Sequence, residues 1–293
     1  MRRKPFIALC LSLWCVLALV HADVSRAQVA PVDNYREPLH SEASKTYFDL
    51  LKQIFPDAEM EAAGGAAASA HQSVPLNHLY GDYRNRVYHA EMQISSVERL
   101  FLQSGGRRRL LLLVHAESAG EQFTWGELAV LALFELEPAV RLLDAADIKA
   151  DRFSGIREEQ PLLHISSQAD AVMITNYHHN SSQGYLSLTL VGTEGNRLRT
   201  IFELPTLLNL NYCGNKSTQT PTINVLRASR GGHFNISVKI RLVKEPDDES
   251  CEKITRGFTR EFNSVLVWNP AKRRYESTGS ALGTLSGLNE RNY

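Results

Sequence analysis

The chain has 293 residues, 43% of them hydrophobic and 22% charged, and its 32 basic and 32 acidic side chains cancel to a formal charge of zero. That length supports a sizeable core, as one large or two small domains. The balanced charge excludes the global basic field that non-specific nucleic-acid binding requires, so no nucleic-acid partner is expected.

The N-terminus carries an export signal. Arg2, Arg3 and Lys4 precede an apolar run from Phe6 to Val20, and Val20-His21-Ala22 and Ser25-Arg26-Ala27 each end on a small residue suited to cleavage. The pattern predicts a signal peptide over 1–27 and a secreted or periplasmic mature chain with no membrane span. A retained signal anchor is the competing reading. Cleavage at Ala22 or Ala27 removes a net three positive charges and leaves a formal charge of −3. It also removes Cys10 and Cys15, leaving Cys213 and Cys251. Two cysteines in an exported chain predict one disulfide, whose loop of about 38 residues corresponds to about 3.9 kcal/mol in the chain-entropy model.

Residues 28–40 carry Pro31 and Pro38 and little periodicity, so a flexible arm is predicted. Over 41–56, Tyr47, Leu50, Leu51, Ile54 and Phe55 share one helical face, with Ser41 as the N-cap and Pro56 as the stop. Residues 57–79 include the low-complexity run EMEAAGGAAASAHQS and read as a linker.

Residues 80–282 read as mainly antiparallel β. In Tyr185 to Val191, Leu186, Leu188 and Leu190 point one way and Ser187 and Thr189 the other, the period of two of a half-buried strand. Thr193-Glu194-Gly195-Asn196 supplies turn chemistry, and Ile236, Val238, Ile240 and Leu242 repeat the alternation. Three units share one order of strands and turns: 96–144, 162–204 and 222–277. Serial four-stranded antiparallel meanders predict a propeller-like fold or a β-sandwich, followed by a C-terminal tail at 283–293.

Chemistry is sparse. His178 and His179 sit in Tyr177-His178-His179-Asn180, a predicted turn between two strands. Neutral imidazole is a metal ligand or a base near neutral pH, yet adjacent histidines on a strand face opposite ways. Asp144, Asp147 and Asp151 share a face if their segment is helical, and three carboxylates suit calcium, although the glycine and alternate spacing of a calcium loop are missing. Glu158-Glu159 and Asp247-Asp248-Glu249 read as solvated loop acids. Arg107, Arg108 and Arg109, like Lys272, Arg273 and Arg274, fall at predicted turns, where charge discourages edge pairing and offers weak contact with anionic surfaces. Trp125, Tyr185, Trp268 and Tyr275 read as core or rim aromatics that also suit a sugar-binding surface. Asn180, Asn215 and Asn235 begin glycosylation acceptor triplets, relevant only in a eukaryotic host. No GxSxG, HExxH, P-loop or dinucleotide fingerprint occurs, and no cofactor is predicted.

The expected function is therefore a non-enzymatic binding or structural module. Its loops, such as Tyr177 to Gly184 and Leu207 to Thr220, would contact an extracytoplasmic protein or carbohydrate. The rival is a metal-dependent or general-base hydrolase using His178 or His179 with Asp170 or the Asp144 cluster.

Overall fold

The computed structural model describes residues 28–39, 44–61, 67–80, 86–118, 126–179, 183–212, 215–246 and 257–290. Within them the chain builds two large, mainly antiparallel sheets and two short α-helices. The first sheet contains β1 (Ala30–Pro31), β2 (Glu59–Met60), β3 (Ala68–Gln72), β4 (Asn77–His78), β5 (His89–Ser104), β6 (Arg107–Glu117), β7 (Glu127–Glu135) and β8 (Arg141–Asp147). Its order is β2-β3-β5-β6-β7-β8-β4, with β1 also on β5 and β4 running parallel to β8.

The second sheet holds β9 (Phe153–Ile156), β10 (Leu162–His164), β11 (Asp170–His179), β12 (Gln183–Gly192), β13 (Arg199–Tyr212), β14 (Asn215–Arg230), β15 (His233–Pro246), β16 (Phe258–Asn269) and β17 (Arg274–Thr278). Strands β10 to β17 pair in sequence order, with β9 also on β11. The three units of the sequence are therefore two sheets: the second and third join through the β13–β14 hairpin, where Asn209 pairs with Thr218 and Tyr212 with Asn215. The stretch 207–220, read as a loop, is largely this hairpin; backbone pairing satisfies the peptide groups that its polar composition left to solvent.

Burial explains the strand patterns. One face of β6 and β7, with Leu110, Leu112, Val114, Val130 and Phe134, packs on the N-terminal segment and on α1 (Tyr47–Ile54). The other face, with Leu111, Leu113, Leu131 and Leu133, packs on Val172, Ile174 and Val191 of the second sheet. Strands covered on both sides lose alternation, so β6 reads as the continuous run LLLLV. Each fully buried leucine in this seam contributes roughly 1.5–3 kcal/mol. The far meander is covered on one side only and keeps the period: Ile236, Val238, Ile240 and Leu242 are buried while Lys239 and Arg241 are exposed.

The second sheet curls around its own core. Phe234 donates its backbone N–H to Ile165 O at 2.7 Å, bringing β15 back to the β10 edge. Helix α2 (Ala281–Glu290) closes the curl with buried Leu285 and with Asn289, which accepts from Gln219 at 2.6 Å. Its range falls partly in the segment read as a tail, which a hydrogen-bonded, buried Asn289 excludes. The predicted flexible arm is likewise pinned. Val32 donates to Val97 O at 2.9 Å, and Tyr35 and Leu39 are buried against α1. The predicted linker supplies β2, β3 and β4, with Ala68 and Ala70 buried in the same core as the apolar face of α1. Helix α1 is capped by Thr46, whose hydroxyl accepts from Asp49 N at 3.3 Å while Asp49 accepts from Thr46 N at 2.8 Å.

Candidate functional site

Strand β11 separates the residues that the hydrolase reading needs together. Asp170 opens the strand and His178 lies eight residues on, about 26 Å away at strand rise. Asp170 is buried and bridges the sheets: its carboxylate accepts from Gln103 N at 2.7 Å and pairs with His164 Nδ1 at 2.5 Å. His178 and His179 point to opposite faces, as strand geometry demands. His178 Nδ1 lies 3.0 Å from Asp151 Oδ1. His179 faces Gly184 across the hairpin, where a Cβ would sit 2.7 Å from its Nδ1. Glycine there leaves the ring its place.

The three aspartates do not converge either. Pairing with β7 makes Asp144 to Asp147 a strand, so the two acids face opposite sides. Asp144 accepts from Leu198 N at 2.8 Å, Arg197 Nη1 at 3.1 Å and Asn77 Nδ2 at 3.3 Å. Asp147 accepts from Tyr88 Oη at 2.8 Å and from Lys149 N at 2.9 Å, and pairs with His78 at 3.2 Å. Burial, reinforced by the Asp147 charge, raises the Tyr88 phenol above its ordinary pKa. Asp151 caps the Arg152 N–H at 2.7 Å. Among the described residues no three His, Cys, Asp or Glu side chains gather as a metal ligand set. Cys213, Cys251, Asn180, Trp125 and Asp247 to Glu249 lie outside the described residues. Trp268 and Tyr275 are core residues, stacked on and edge-on to their neighbours, and Tyr185 donates to Gln183.

The seam between the sheets is apolar along its middle and charged at both ends. At one end Lys149, its side chain 1% exposed, pairs with Glu127 and donates to Arg152 O at 2.8 Å, while His115 meets the same glutamate. Burial alone would raise the Glu127 carboxyl, but the Lys149 and His115 hydrogen bonds outweigh it and hold the carboxyl below its ordinary range. Asn176 closes this end, accepting from Ser154 and from Ala150 N at 3.3 Å and donating to Tyr80 Oη at 2.7 Å. At the other end Arg109 and Glu135 form a buried cross-strand pair. Sequence reading placed Arg109 in a wet turn. The signal that finds it is phase: Arg109 continues the inward row of Leu111 and Leu113, and Glu135 that of Leu131 and Leu133.

Two openings flank Arg107 to Arg109. A cleft of about 1070 Å³ on the outer face is lined by Tyr47, Arg99, Phe101, Arg107, Arg108 and Glu137 among others. Its guanidinium groups are largely engaged: Arg99 with Glu37 and Tyr47, Arg107 with Glu135, and Arg108 over the Phe101 ring at 4.1 Å. A smaller cavity lies on the seam side, beside Arg109.

One surface feature escaped sequence reading. Phe153 (42%), Tyr177 (39%) and Phe258 (47%) are the large apolar side chains left exposed among the described residues. Phe153 and Tyr177 pair across β9 and β11, their rings stacked at 4.5 Å and 17°. Arg152 lies over Phe153 at 5.5 Å, while His178, the next residue on β11, turns to the other face and meets Asp151 there. Nothing in ADRFSG marks Phe153 as exposed, because its partner is 24 residues away and the strand pairing is not local. No helix among the described residues is long and apolar enough to cross a membrane. Comparison with protein-family models, with curated proteins and with solved structures gave no match.

Proposed function

We propose that the protein is an exported, non-enzymatic binding module that engages an extracytoplasmic protein through the Phe153–Tyr177 edge. The observation that carries this reading is the contact between those two exposed rings. Where the described residues expose only three large apolar side chains, two of them in contact with each other mark a candidate interaction patch. Aromatic side chains beside an arginine match the composition of protein-binding hot spots. Both rings stand on paired strands, so little ordering is needed on contact. A protein partner is preferred to a sugar because the mutual stacking and Arg152 over Phe153 occupy three of the four ring faces on which a sugar would stack. The export half of the reading is supported by the leader pattern at 1–27, which lies outside the described residues.

The test compares wild type with F153S/Y177S, immobilised and challenged with a fractionated exported proteome and with a glycan array. A single protein retained by the wild type and lost by the folded variant supports the proposal. A glycan that shows the same dependence replaces the protein partner with a carbohydrate. Equal behaviour of both chains toward every fraction and glycan removes the site.

A further inference from the structure

We infer that the groove between β10 and β14 binds a short extended peptide that ends in a carboxylate. This goes beyond the aromatic edge proposed above, and does not depend on it. The two strands run side by side where the second sheet curls back on itself, yet no ladder joins them. They are tied at two points. Gln160 Nε2 donates to Ile223 O at 3.2 Å, and Phe234 N donates to Ile165 O at 2.7 Å. Between these ties lies an opening of about 610 Å³, with Leu162, His164, Val225, Arg227 and Phe234 among its walls. Such a volume is in the range of ligand pockets.

Backbone groups recruit the peptide. In an antiparallel strand each residue turns its N–H and C=O to one side, and successive residues alternate. Met173 N donates to Pro161 O at 2.9 Å and Ile165 N to Ala169 O at 3.0 Å. Pro161 and Ile165 therefore turn toward β11, and Leu162 and His164 turn outward. On β14 the Ile223 carbonyl accepts from Gln160, so Ile223 faces the groove, and Val225, two residues on, does the same. The peptide groups of Leu162, His164 and Val225 thus open on the groove with no strand to meet them. His164 is exposed and Leu162 and Val225 are half-buried, so solvent reaches this edge. Unpaired edge groups are a template for an added strand.

Side chains set what the strand must carry. Leu162, Val225 and the half-buried Phe234 offer apolar contact to its alternate side chains. Charge selects its end. Arg227 is exposed and meets no carboxylate among the described residues, and no acid among them stands in the groove wall. His164 is already held through Nδ1 by Asp170, which also accepts from Gln103 N of the first sheet. The unmatched guanidinium suits a carboxylate, which its fork binds through two hydrogen bonds. Arg227 follows Val225 along β14, so a strand laid parallel to β14 brings its C-terminal carboxylate to Arg227.

The test displays random short peptides with a free C-terminus on phage, selects on the purified protein, and measures the strongest sequence as a synthetic peptide by calorimetry. Saturable binding is expected. Amidation of the peptide and Arg227→Gln should each weaken it by about tenfold, the worth of a hydrogen bond to a charged group, and the two losses should not add. N-methylation along the peptide should weaken binding at every second residue and spare those between, the signature of strand pairing. F153S/Y177S should leave the affinity unchanged, which separates this groove from the aromatic edge. Failure to enrich any sequence overturns the proposal, as does binding indifferent to amidation or to Arg227→Gln. So does an N-methyl series without alternation. N-acetylleucine bound as tightly as the peptide would make the groove a small-acid pocket and overturn the peptide.

Discussion

The two ends of the seam hold the same kind of group and treat it differently. At the Lys149 end every buried charge has its counterpart: Nζ has Glu127 and the Arg152 carbonyl, and Glu127 also has His115. At the Arg109 end the guanidinium has Glu135 and Asn196, yet its Nε and the Thr193 hydroxyl have nothing. Burial of charge by itself does not mark a site. Both charges are matched and structural; the difference lies in the neutral details, since an unmet buried donor or hydroxyl costs stability that a fully satisfied cluster keeps.

The sharpest way to break this comparison is at Lys149. Lys149→Met leaves the Arg152 carbonyl unpaired and Glu127 with His115 alone, and should cost about 3 kcal/mol of unfolding free energy by urea titration. A loss below about 1 kcal/mol would show that this end is not a structural clamp.

The Glu135 end predicts a pH effect. Hydrogen bonds from Arg109 and Arg141 hold its carboxyl down to about 2, against an ordinary value of 4.5. A lowered folded-state pKa gives stabilisation that is complete above 4.5 and is lost as pH falls toward 2. Across that window the urea midpoint of wild type should fall more steeply than that of Glu135→Gln. Parallel slopes would mean that the carboxylate is not held by its arginines.

Thr193→Val is the smaller and more discriminating change. Replacing a buried, unpartnered hydroxyl by a methyl of similar size should stabilise the protein by about 1 kcal/mol. Destabilisation of that size would reveal a partner for the hydroxyl and make the two ends alike. Last, F153S/Y177S should change stability by less than about 1 kcal/mol, because exposed stacking contributes little. A larger loss in the melting curve would turn that edge from a binding surface into packing.

The antiparallel β character was legible in particular residues. The alternation at Leu186, Leu188 and Leu190 belongs to β12, with Leu188 and Leu190 in the inner core, and the positive φ at Gly195 and Asn196 forms the turn after it. The polar positions were harder. His178 and His179 were conspicuous because histidines are rare, but strand geometry turned them apart and placed Asp170 at the far end. Arg109 looked like turn decoration because its neighbours Arg107 and Arg108 are exposed, while the strand phase carries it alone into the seam. Phe153 had no signal in its own segment at all.

The sequence by itself determined the side-chain periods, the turns and the apolar runs, since each depends on residues a few positions apart. Only the tertiary structure decided that the meanders join into two sheets, that one stacks on the other, and that an arm and a linker are drawn into the first core. Those outcomes depend on what covers the second face of a strand, a choice made by residues tens of positions away. The same stacking seals Arg109 and Lys149 from water, which is why the places with chemistry emerge only once the two sheets have met.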